Sequence, residues 1–154
     1  MLTVTIREDM KAAMKARDEL RLSVVRSMLA AFTNELVSKG RKPTDALTDD
    51  EALTVLKRLG KQRADSAEQF LKGGREELAE KEIAERAIIE SYLPARATRE
   101  QIEKAVREKM KELGITDIGG TGKLTGAVMK TLGGNADGND VRAVIAEIIA
   151  VSEE

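Results

Sequence analysis

Residues 122–144 read GKLTGAVMKTLGGNADGNDVRAV, and the spacing of the apolar positions leaves little freedom of fold. Leu124, Ala127, Val128 and Leu132 recur at the interval of one helix face, as do Val141, Val144, Ile145, Ile148 and Ile149 after the break. Gly133 and Gly134 lack a Cβ and so accept the left-handed backbone that ends a helix. Asp137 or Asn139 then offers a side-chain oxygen to the first free amides of the next one. The segment predicts two short amphipathic helices joined by a tight turn.

Similar punctuation divides the rest of the chain. Pro43 and Pro94 each disfavour helix at the preceding residue and cannot occupy a helix interior. Before Pro43, a helix over about residues 5–16 leads into a longer one with a stripe of Leu22, Val25, Leu29, Phe32 and Leu36. After it, Thr48 and Glu51 form a T-x-x-E capping box. The helix that follows carries Leu53, Leu56, Ala64, Ala67 and Leu71 and stops at Gly73-Gly74. A fourth helix, about residues 75–92, carries Leu78, Ile83, Ala84, Ala87 and Ile88. Beyond Pro94, Thr98 and Gln101 make a second capping box for a helix bearing Ile102, Val106, Met110 and Leu113, closed by Gly114. No segment alternates like a strand. The expected fold is all-α, about seven helices in two small helical domains: a four-helix domain over residues 1–93 and a three-helix domain over 94–154.

Composition narrows the chemistry. The chain has no Cys and no His, which removes disulfides, thiolate nucleophiles, the commonest metal ligand and the usual neutral-pH proton shuttle. No cofactor is expected. The 26 basic and 27 acidic residues nearly cancel, so attraction to nucleic acid or membrane must be local. Glu8 and Asp9 interrupt the place where a signal peptide would need an apolar core, and no apolar run has membrane-spanning length. A cytoplasmic protein with no membrane partner is the resulting expectation.

Several motifs have to be weighed. Residues 119–125, GGTGKLT, look like a phosphate loop, but the required Gly and Ser/Thr positions hold Asp117 and Leu124. The plain alternative is a flexible start to a helix, with Lys123 and the helix amides able to hold one phosphate. Glu76, Glu77, Glu80, Glu82 and Glu85 crowd one helix and read as solvated or paired with Lys81 and Arg86, not as a metal cage or acid–base pair. Arg63 falls within the apolar arc of its helix and needs a partner, so an ion pair with Glu82 or Glu85 is expected. Residues 57–75 hold six bases against two acids, and residues 76–92 six acids against two bases. These two helices can neutralise each other as an antiparallel pair, or Lys57 and Lys61 can stand clear and hold phosphates.

The C-terminal tail resembles that of the GatB/YqeY family. LSVVRSMLAAFTNE (22–35), KRLGKQRADSAEQFLKGGREELAEKE (57–82) and ESYLP (90–94) resemble the family's N-terminal half and junction. The resemblance implies two helical domains, no chemistry of the chain's own, and a tail related to the tRNA-binding module of the amidotransferase B subunit, whose catalytic domains are absent here. It points to folded tRNA as partner, with an aminoacylation or amidation enzyme as companion. Lys123, Lys130 and Arg142 are then the phosphate contacts, and Asn135 and Asn139 the hydrogen-bonding groups of the turn. The neighbourhood of the turn lacks the basic residues common in the family, and residues 94–154 hold nine bases against ten acids, the last two being Glu153 and Glu154, so weak binding is expected. The alternatives are a protein-interaction module that uses the acidic helix, and a component of a glutamine-dependent carbon–nitrogen ligase.

Overall fold

Seven α-helices follow one another in the computed structural model, which describes residues 1–152. They are α1 (Leu2–Ala16), α2 (Glu19–Ser38), α3 (Asp49–Lys72), α4 (Glu76–Glu90), α5 (Arg99–Leu113), α6 (Thr121–Thr131) and α7 (Gly138–Ser152), with one 3₁₀ turn at Ile118–Gly120. Among the described residues there is no strand, so the fold is all-α as the periodicity required. The chain divides into two compact units, Met1–Leu93 and Pro94 onward. Glu153 and Glu154, whose charge entered the sequence reading of the tail, lie outside the described residues.

In the first unit, α1 to α4 enclose a core centred on Ile6, Val25, Met28, Phe32, Leu56 and Ile89. Both expected capping boxes are formed: Thr48 and Thr98 accept from the amides of Glu51 and Gln101, whose side chains accept from the capping residues in return. Helix α1 begins at Leu2, three residues before the expected start. Its first amide, that of Leu2, donates to Asp49 Oδ1 at 2.8 Å, a cap supplied from α3. The buried face of α2 is Val24, Val25, Met28, Phe32 and Leu36, whereas Leu22 and Leu29 are only half-buried. Three residues expected on apolar stripes are exposed, Leu71, Ile83 and Ala87. Leu71 and Ile83 are 54% and 53% exposed. On α4 the buried residues are instead Ala79, Glu85 and Ile89, and the helix stops at Glu90, before Tyr92. The Tyr92 hydroxyl donates to Asp9 Oδ2 at 2.5 Å, and burial, then that carboxylate, push its pKa up to about 12.

The second unit packs Ile102, Val106, Leu124, Val128, Val141 and Ile145 between α5, α6 and α7. All five apolar positions expected on α7 are buried.

The ends of α1, α2, α3 and α6 share one geometry. The amides of Gly40, Gly74 and Gly133, each at positive φ, bond back to Val37, Leu71 and Lys130, and the next residues' amides to Leu36, Phe70 and Met129. Such paired bonds satisfy carbonyls that a helix end leaves open. Helix α1 closes the same way with Arg17 at φ 54, the single non-glycine residue at positive φ among the described residues. A side chain there costs about 1–2 kcal/mol. Arg17→Gly is therefore expected to stabilise the protein by roughly 0.5–1 kcal/mol after the extra entropy of the unfolded chain is counted, read as a higher Tm; an unchanged or lower Tm would contradict it.

Glu51 has a second role besides capping. Lys39 at 2.9 Å, the amide of Thr48 at 2.9 Å and Arg41 at 2.9 Å hold its carboxyl at a pKa of about 2. The pKa is lowered on folding, so the stabilisation is complete above the ordinary carboxylate range and is lost as pH falls toward about 2. Glu51→Gln should flatten that acid limb in urea melts taken from pH 5 to pH 2, and an unchanged slope would refute the assignment.

Candidate nucleic-acid interface

The residues expected to meet RNA in the tail fall on α6, the turn after it and the first turn of α7. Lys123 and Lys130 are seven residues apart, close to two full turns, so they share one face of α6 about 10 Å apart along the axis. That face lies opposite Leu124, Thr125 and Val128, which α6 buries, and both lysines are exposed. Arg142 is exposed on α7, one residue after the buried Val141. Among the described residues none of these three cations has an ion-pair partner. Arg99 of α5, by contrast, is held by Glu103 at 2.9 Å and by Glu147 of α7.

The turn between α6 and α7 is firmly built. Gly133 and Gly134 take φ 61 and 71, and the Asn135 amide donates to the Leu132 carbonyl at 3.1 Å. The Asn135 carbonyl accepts from the Ala97 amide at 2.9 Å, which ties the turn to the stretch before α5. Asp137 accepts from the Asn139 amide at 2.7 Å and so supports the start of α7. Asn139 is exposed and Asn135 half-buried.

The start of α6 is packed, contrary to the flexible segment expected from its glycines. Asp117 accepts from the Gly119 amide at 2.9 Å, an Asx turn whose signal, Asp two residues before Gly, was present in the sequence but was not used. A Cβ on Gly120 would lie 2.4 Å from Ile115 Cγ2, so only glycine fits. No side chain caps α6.

Lys57 and Lys61, the basic residues proposed in the first unit, differ. Lys61 is exposed, whereas Lys57 is half-buried and already engaged within the protein. The neighbouring charges do not simply cancel between α3 and α4. Arg58 pairs with Glu35 of α2 at 3.0 Å, and Lys72 with Glu68 of its own helix at 2.7 Å. Arg63 does reach α4: its Nη1 lies 3.1 Å from Glu85 and 3.6 Å from Glu82. Among the described residues no three acidic side chains are placed to hold a metal ion.

Two small helical units, with exposed cations on the second, define an all-helical protein. The chain belongs to the YqeY-like family, whose profile matches residues 3–149. It is similar to proteins named "Altered inheritance of mitochondria protein 41, mitochondrial". The Eremothecium gossypii protein is 35% identical over 66% of this chain and 54% of its own length. The Kluyveromyces lactis protein is 34% identical over 70% and 58%, and that of Clavispora lusitaniae 33% identical over 75% and 66%. The chain thus spans between about half and two thirds of these relatives, whose name states no enzymatic activity. The same name corrects the cytoplasmic expectation. That expectation rested on the lack of a leader or membrane-spanning stretch within these residues, and the relatives are named as mitochondrial proteins.

The glycines around α6 give a direct check. Gly120→Ala should destabilise the second unit by about 1–3 kcal/mol through the Ile115 overlap. Gly126→Ala, where a Cβ meets nothing within 4 Å, should stabilise α6 by roughly 0.5–1 kcal/mol. Thermal melts in which the two changes have the same sign would refute this reading.

Proposed function

We propose that this chain is a non-catalytic accessory module of tRNA metabolism that binds folded tRNA weakly through α6, its turn and the start of α7. The observation that carries the reading is that Lys123 and Lys130 on α6 and Arg142 on α7 are exposed and, among the described residues, have no carboxylate partner. Unpaired cations can neutralise phosphates without first breaking an internal ion pair, and Asn135 and Asn139 add hydrogen-bonding groups beside them. The similarity of the tail to that of tRNA-dependent amidotransferase B subunits supports the choice of tRNA, and an aminoacylation or amidation enzyme is the companion it suggests. With no His and no Cys in the chain, catalysis is not assigned to it. A second reading, a protein-interaction module, draws on the exposed Ile83 among the acidic residues of α4.

The test is fluorescence anisotropy with folded tRNA and an unrelated hairpin across a salt series. Lys123→Glu with Lys130→Glu should weaken tRNA binding at least about tenfold and lower the salt dependence, because fewer counterions are released, while circular dichroism stays unchanged. Equal binding by the double variant, or equal affinity for both RNAs, would move the assignment to a protein partner.

A further inference from the structure

The apolar core of the first unit ends partway along the α3–α4 hairpin. Leu59 on α3 and Ile88 on α4 are the last side chains packed against it. Between them, no hydrophobic residue of either helix belongs to the core or packs on it. In this distal stretch only Ala67 and Ala79 are buried hydrophobics, while Leu71 and Ile83 face solvent. With Ala64, Phe70, Leu78 and Ala84 only half-buried beside them, this is a small and incompletely covered apolar contact for some twenty-five residues of helix and turn.

Where an apolar layer would continue the seam, the chain places charges. The Glu85 side chain is only 8% exposed and Arg63 27%, so the pair is largely removed from water. Glu82 Oε2, 3.6 Å from the same guanidinium, is buried and makes no hydrogen bond. One cation thus faces two carboxylates, and the desolvation of the second is not offset. Toward α2 the hairpin is tied by a long contact from Arg63 Nη2 to Ser27 Oγ at 3.4 Å. Beside it lies a cavity of about 520 Å³ lined by Ser27, Leu59, Gln62, Arg63, Asp65 and Ser66.

We propose that residues 61–87, the distal part of the α3–α4 hairpin, open by local unfolding as one cooperative unit under native conditions, with Arg63, Glu82 and Glu85 as the latch that holds the two helices together. Opening breaks the ion pairs and the Ala67–Ala79 layer and leaves every member of the core in place. It also uncovers two carboxylates that the closed hairpin hides. An ionic seam suits such a device: a charged pair is readily exchanged for water, whereas an apolar seam would bind the distal hairpin to the same fate as the core.

Native-state hydrogen exchange on the full chain, read by mass spectrometry, tests this. Amides of residues 64–84 should exchange as a block at least about tenfold faster than those of residues 24–36 and 52–58, with a weaker dependence on denaturant. Arg63→Ala should speed the block about tenfold more and leave the core rates unchanged. Arg63→Met with Glu82→Leu and Glu85→Leu, which swaps the ionic seam for an apolar one, should slow the block below its rate in the parent protein. Exchange of the block at the core rate in the parent, which needs no variant to fold, would overturn the proposal. So would an Arg63→Ala acceleration shared by the core, or an apolar triple variant whose block is no slower than in the parent.

Discussion

Everything in this structure depends on how its helices stop. A helix leaves its last carbonyls without partners, and a left-handed residue just past the end lets the following amides turn back and satisfy them. Gly40, Gly74 and Gly133 do this for α2, α3 and α6, and Arg17 does it for α1. Each stop comes after enough turns to bury one apolar stripe and reverses the chain within a few residues. Antiparallel neighbours follow, and so do two small cores instead of one long helical rod. Where the stop sits beside the candidate RNA contacts, at Gly133-Gly134, it also fixes the residues that follow: the Asn135 carbonyl is held by Ala97, and Asp137 caps the amide of Asn139.

Charge pairing is uneven along the chain. In the first unit, Lys39 and Arg41 after α2 and Arg58, Arg63 and Lys72 of α3 are held by Glu35, Glu51, Glu68, Glu82 and Glu85. In the second, Arg99 and Lys109 are paired while Lys123, Lys130 and Arg142 are not. A nearly neutral chain therefore presents local cations only where its own carboxylates fail to reach them, which net charge cannot reveal. The partly buried charges of α3 and α4 are a different matter. They occupy a seam and limit how far the core extends along the hairpin.

Much of this was legible in advance because the signals are local. Thr48 with Glu51 and Thr98 with Gln101 cap their helices through bonds spanning three residues, and α7 buries the five residues its period singled out. The misreadings came from long-range causes. Leu71 and Ile83 have the right spacing for a core face, but no third helix covers the distal hairpin, so they remain in water. On α4 the buried face includes Glu85, which the helix's own period would place outside; only the ion pair expected with Arg63 singled it out, and that pair is formed. The glycines before α6 suggested mobility, yet Ile115 presses against Gly120 and leaves no room for a side chain. The cellular setting was misread for another reason: the absence of a leader or membrane span within these residues does not place a protein in the cytoplasm.

The sequence by itself determined the all-helical class, the positions of the stops and most of the stripes, since capping, left-handed turns and helical period act over three to six residues. Tertiary structure decided which helix faces find cover and which cations find a carboxylate. Those outcomes depend on side chains brought together across tens of residues, such as Asp49 on the start of α1 and Glu35 on Arg58. Burial and pairing are settled by what stands opposite a residue in space, and local spacing carries no record of that.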